Sequence, residues 1–424
     1  MTKPHRGWWI WVSRAAWAIV DQGLSAGANF VGSILLARWL SPSDFGLYAT
    51  GFAVFLFAGT LHTAIVTEPM MIFGPSRYER SFFQYVRALV LMHWRGTIIA
   101  SCAICLPIVV ADMFLGRHIT AISLALGLAG PCILFSWILR RSFYVVNRPE
   151  TAALGGLAYL GAMIAGFSIL YLKRWLTPGT AFYVMAAASL VVGGSFWVLL
   201  DRRSNVAVSK ADIVASHWRY GRWSLLSTGL YWFPANWYLC VLAFWQGPDQ
   251  AARWRAAMNL IMPVLHAHIA LTVLVVPFLV RRKNDSRRFH GALALTLFVF
   301  VGSGLAYLVL LRAFGPEAMR FLYRSKYSLE GINLWWLGAL PIAVAVSLAT
   351  GGALRALEKT AQLAAAHTAV AIFTVTLGSI LVARFGLAGA IYGSVASHAL
   401  LGACMVPAYF GLRPRTEPAA AVSA

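Results

Sequence analysis

Polar side chains recur at helical spacing inside otherwise apolar stretches, and they are where this sequence could do chemistry. Asp21, Ser25, Asn29 and Ser33 stand four residues apart, with Arg14 seven places before Asp21. That spacing keeps them within about a third of a helix's circumference. Ser224, Ser227, Thr228 and Tyr231 make a second such face, and Arg255, Asn259 and His266 a third, from which His268 points away. An ionised residue at the centre of a membrane helix costs ~2.5–3.5 kcal/mol on insertion scales, so these faces should turn toward protein or water. Asp21 lies well inside an apolar run, where desolvation disfavours its charge. It is either paired with a cation such as Arg14 or titrates.

Each feature also has a plainer reading. Ser, Thr and Asn on membrane helices serve as interhelical glue. Arg14 and Arg255 lie near helix ends and can snorkel, and His266 can be a satisfied core histidine. Bond-making chemistry has no such foothold. The chain has no HExxH or phosphate-loop motif, no GxSxG elbow, since the GLSAG at 23–27 lies inside a helical run and not at a strand-to-helix turn, and no paired carboxylates on a shared face. Cys102 and Cys105 have metal-like spacing but no second pair or histidine cluster, so they read as small apolar residues of a bundle. No enzyme activity, metal or cofactor is expected.

The elements that carry these residues are expected to be membrane helices. Of 424 residues, 60% are hydrophobic and 12% charged, where a soluble protein carries roughly 25% charged residues. One soluble domain could not bury that much apolar surface. Twelve candidate helices emerge, at 13–38, 45–67, 86–113, 118–139, 151–172, 179–200, 221–246, 254–280, 290–313, 332–354, 362–383 and 387–411. A net charge of +21 needs no nucleic-acid partner, because membrane proteins concentrate Lys and Arg in cytoplasmic loops. Alternate connections differ about two-fold in Lys and Arg, which puts both termini in the cytoplasm. Trp8, Trp9 and Trp11 suit an interfacial anchor, and the tail from Arg413 reads as disordered.

Residues 36–50, LARWLSPSDFGLYAT, show how two such helices are joined. Ser41 suits an N-cap, Pro42 the first helical position and Asp44 the third, with Leu40 and Phe45 placed as a hydrophobic staple. Gly46 would let the second helix pass close to the first. A shift of 206 residues lays LAFWQGPDQAARWRA on this stretch, matching Leu36, Ala37, Trp39 and Pro42 to Leu242, Ala243, Trp245 and Pro248. Six helices per half give both halves one orientation, a parallel repeat. The expected domains are 1–205 and 206–424, joined by a basic linker at 201–222. Two facing halves suggest a transporter.

LLARWLSPSDFGLYAT resembles the end of helix 1 and start of helix 2 in bacterial polysaccharide exporters. These are lipid-linked oligosaccharide flippases of the O-antigen and exopolysaccharide type, in the multidrug/oligosaccharidyl-lipid/polysaccharide exporter superfamily. RRSFYVVNRPETAAL, YGRWSLLSTGLYW, RAAMNLIMP and FLYRSKYSLEGINL extend the likeness along the chain. The resemblance implies an all-α polytopic protein of the cell inner membrane, with two six-helix bundles forming a V around a central cavity. It implies an undecaprenyl-diphosphate-linked oligosaccharide as substrate, membrane lipid around it, and a polysaccharide polymerase and chain-length regulator as partners. The alternatives are a multidrug exporter of the same superfamily and a membrane scaffold for polysaccharide assembly. A flippase needs a wet cationic groove for the diphosphate, which arginine suits. Arg14, Arg219 and Arg222 are the candidates near the inner mouth and Arg255 nearer the outer one. Asp21, Asn29, Tyr231, Asn259 and His266 complete the candidate substrate site.

Overall fold

The structure is a computed structural model that describes residues 5–115, 120–200, 207–328 and 331–410. The tail, residues 201–206 of the expected linker, and the side chains of Trp8, Trp9, Trp11 and Ser227 lie outside what is described. The described residues are almost wholly helical. In order, the helices are α1 (His5–Trp39), α2 (Pro42–His62), α3 (Glu68–Arg77), α4 (Phe82–Leu115), α5 (Thr120–Val145), α6 (Pro149–Leu172) and α7 (Pro178–Leu199). They continue with α8 (Lys210–Gln246), α9 (Pro248–Val280), α10 (Ser286–Tyr323), α11 (Leu334–Ala356), α12 (Thr360–Phe373) and α13 (Ser379–Phe410). Ten stretches among the described residues are long and apolar enough to cross a membrane.

Ten and twelve describe the same helices. α8 is long enough to span but not apolar enough to be among the ten, since even its charge-free part, 223–246, intersperses Ser, Thr, Tyr, Trp, Asn and Pro among its apolar residues. The expected helices 362–383 and 387–411 form one continuous apolar stretch, Ala361–Val406. Gly386 breaks it, with a φ of 55° that other residues rarely adopt.

Four expectations about connections are corrected. Most of the linker 201–222 is the start of α8, capped by Ser209, whose Oγ accepts from the Asp212 amide. Arg140 and Arg141, which the expected bounds 118–139 and 151–172 leave in a connection, sit on α5, which runs on to Val145. The first part of the expected connection 314–331 is the end of α10, which runs on to Tyr323. The cap between α1 and α2 stands as expected, with Ser41 Oγ accepting from the Asp44 amide at 3.1 Å and Leu40 and Phe45 buried. Gly46, however, faces the backbone carbonyl of Pro248 at the start of α9, where a Cβ would collide.

The contacts divide the chain into two compact units, one of Met1–Asn259 with Glu317–Glu330 and one of Leu260–Pro316 with Gly331–Ala424. In the first, α1 packs along α6, α5 along α4 and α7, and α2 along α8. Between α2 and α3 the helix widens into a π turn at Thr63–Thr67. Pro69 lacks the N–H that the Ile65 carbonyl would ordinarily accept. His217 Nδ1 bonds that carbonyl instead at 2.8 Å, which fixes Nε2 as the acceptor for the Tyr85 hydroxyl at 2.6 Å. The ends of α1 and α10 cap one another. Arg38 donates to the carbonyls of Phe321 and Leu322, while Lys326 donates to those of Ala37, Arg38 and Leu40. Last-turn carbonyls without intrahelical donors are thereby satisfied, each by a cation suited to a helix C-terminus. In the second unit α11 packs along α13, and Thr374 bonds Ser397 at 2.9 Å beside a second π turn.

Candidate functional site

The stripe on α1 turns inward along its length. Asp21 is fully buried, and its partner is Arg140 of α5. The guanidinium donates to the carboxylate from Nε at 2.9 and 3.1 Å and from Nη2 at 2.7 Å. Its Nη1 donates to Ser25 Oγ at 2.9 Å, and the Tyr144 hydroxyl donates to Asp21 as well. The cation anticipated for Asp21 is thus Arg140 and not Arg14, which is exposed on α1. A bidentate guanidinium with a phenol beside it meets the need of a desolvated carboxylate for hydrogen bonds as well as for opposite charge.

Beside this pair lies a cavity of about 60 Å³ whose polar lining includes Ser25, Asn29, Ser136, Arg140, Tyr159 and Ser189. At ~10–15 Å³ per water centre it has room for a few waters and none for a sugar. The Arg140 side chain keeps 20% of its surface exposed, so a charged group reaches this polar cavity while its acid partner stays fully buried.

The stripe continues to Ser33, which accepts from Asn259 Nδ2 of α9 at 3.0 Å. Asn259 also donates to the Tyr323 hydroxyl at 3.0 Å and is 1% exposed. One turn away, half-buried Arg255 lies near the phenols of Tyr48 and Tyr323. Among the described residues it has no carboxylate partner. A seam of polar groups therefore runs along α1 from Asp21 to Asn259, with a paired charge at one end and an uncompensated cation at the other.

The remaining candidates are placed less closely. Arg219 and Arg222 are exposed on the early turns of α8, with the Arg222 guanidinium 5.5 Å from the Trp223 ring centroid. Tyr231 of α8 is half-buried. His266 belongs to the second unit and is half-buried, whereas His268 is buried there, bonded to Ser303 at 2.8 Å and stacked on Phe300. Sequence reasoning missed Arg140, Tyr144 and Glu68. Glu68 accepts from Ser224 at 2.5 Å and Tyr220 at 3.2 Å, which accounts for the top of the α8 stripe. The double arginine at 140–141 carried a usable signal, since nothing in RRSFYVV stops a helix before Asn147.

No family model and no curated protein matches this sequence. Solved structures do. An inward-facing multidrug resistance MATE family transporter of the MOP superfamily superposes with a TM-score of 0.73 at 16% identity, over 93% of this chain and 97% of that one. This chain has the MATE transporter fold. A MOP superfamily transporter from Pyrococcus furiosus, described as having a binding pocket of reverse polarity, gives a TM-score of 0.65 at 14% identity over 94% of each chain. A point mutant of the Vibrio cholerae MATE transporter VcmN gives 0.65 at 12% identity over 96% of this chain and 97% of that one.

Proposed function

We propose that this chain is a membrane transporter working by alternating access, and that it carries an anionic, lipid-linked oligosaccharide diphosphate to the outer leaflet. A parallel repeat of two bundles, 1–205 and 206–424, underlies this reading, with both termini cytoplasmic. The observation that supports the substrate class is Arg255. A half-buried guanidinium without a carboxylate, set among Tyr48, Tyr323 and Asn259, is expensive inside a membrane unless water or an anion attends it. The seam's one acid, Asp21, is meanwhile occupied by Arg140 and Tyr144, which leaves little to attract an organic cation.

The test is translocation of an undecaprenyl-diphosphate oligosaccharide in proteoliposomes, read by its accessibility to an impermeant lectin. Arg255→Ala should lose most of the activity, Arg255→Lys should keep part, and both should stay folded and monodisperse. Undiminished flipping by Arg255→Ala removes Arg255 from the site. A second reading, export of small organic molecules, is supported by the fold likeness to multidrug transporters. Counterflow of ethidium without glycan translocation would favour it.

A further inference from the structure

A second, larger cavity lies in the first unit, away from the polar seam. It has a volume of about 760 Å³ and runs between α2 with its π turn and α4, floored by α5 and closed at one end by the first turns of α8. An engineered apolar cavity of ~150 Å³ already takes up benzene, so this one has room for a long hydrocarbon. Its lining is almost wholly apolar, and it recurs every three or four residues along one face of each helix, from Leu47 to Val66 and from Leu89 to Ile108. At ~1.5 Å per residue either row is ~28 Å long, nearly the whole ~30 Å of a hydrocarbon core. Val54, Ala58, Ala100 and Ile104 on its walls are exposed, so the groove opens sideways.

The end at α8 is cationic. Val214 and Trp218 line the groove there, and Lys210 and Arg222 stand four residues before and after them on the same helix row, both exposed. We infer that this groove seats the polyprenyl chain of a polyprenyl diphosphate, with the diphosphate held against the Lys210–Arg222 row. The inference rests on the lipid-linked substrate proposed above. Length selects the occupant. One leaflet is ~15 Å deep, half the core, so a phospholipid acyl chain fills half of the groove, whereas a polyprenyl chain can follow it through both leaflets. A tail seated along the full depth stays in register with the protein while its head group crosses.

Proteoliposomes of phosphatidylethanolamine and phosphatidylglycerol would be loaded with a diazirine-bearing polyprenyl diphosphate or with a phosphatidylethanolamine carrying the diazirine in its acyl chain. Crosslinks are mapped by peptide mass spectrometry. The polyprenyl probe should label α2 and α4 near Val54 and Ile104, and unlabelled undecaprenyl phosphate should compete. Gly96→Trp should abolish that labelling, because a Cβ at Gly96 meets nothing within 4 Å and the indole enters the groove. Ala100→Trp is a second filling variant. Gly161→Trp, equally open but on α6, should leave labelling unchanged. Equal groove labelling by the phospholipid, no labelling by the polyprenyl probe, or labelling that survives both filled grooves would each overturn the inference. Groove labelling without glycan translocation by the unaltered protein would sink the flippase reading alone. Translocation without groove labelling would sink the seat alone.

Discussion

Replacing Arg140 with leucine would leave the Asp21 carboxylate wholly buried, with only the Tyr144 hydroxyl still donating to it. Three charge-assisted contacts of 2.7 to 3.1 Å vanish, together with the bond to Ser25. Breaking a buried pair by removing one partner costs ~3–5 kcal/mol, most of it the stranded charge. The reverse variant, Asp21→Asn, strands a guanidinium that borders a cavity with room for a few waters and keeps 20% of its side chain exposed. Its cost should be smaller, ~1–3 kcal/mol. Asp21→Asn with Arg140→Leu removes both charges and should be more stable than Arg140→Leu alone, so the two changes should not add. Thermal unfolding of the purified protein, followed by tryptophan fluorescence in one detergent, gives the order. Arg140→Leu unfolding at the temperature of the unaltered protein, or a double variant equal to the sum of the singles, would refute the buried pair as a coupled unit.

Gly46→Val should destabilise by ~1–3 kcal/mol through overpacking against the Pro248 carbonyl, while Gly23→Ala, with open space around it, should be neutral or stabilising. The same unfolding assay compares them. Lys326→Met should leave the carbonyls of Ala37, Arg38 and Leu40 short of donors, at a cost of ~1–3 kcal/mol. Hydrogen exchange should quicken in the last turn of α1 and not in its middle. His217→Leu should cost ~2–4 kcal/mol, because the Ile65 carbonyl and the Tyr85 hydroxyl both lose a partner. Limited proteolysis around Thr63–Thr67 should then rise.

What could be read along the chain was whatever a single helix decides for itself. The i+4 spacing of Asp21, Ser25, Asn29 and Ser33 places them on one face wherever the helix goes, and in the structure that face meets Arg140, the small cavity and Asn259. The Ser41–Asp44 cap is equally local, since donor and acceptor are three residues apart. The partner of Asp21 was not legible, because Arg140 is 119 residues away and its charge could as well have served a cytoplasmic loop. The need for space at Gly46 is legible in the sequence, but which segment comes close is not, since only packing brings Pro248 to it.

Sequence alone determined that the chain is a set of apolar helices with polar faces, because hydropathy and helical period are properties of neighbouring residues. Tertiary structure alone decided which polar groups share a bond, where the helix widens so that His217 can reach Ile65, and that α2 and α4 stand apart over nearly a bilayer's depth. Those outcomes depend on distances of a few ångströms between helices far apart in the chain, and no spacing within one helix encodes them.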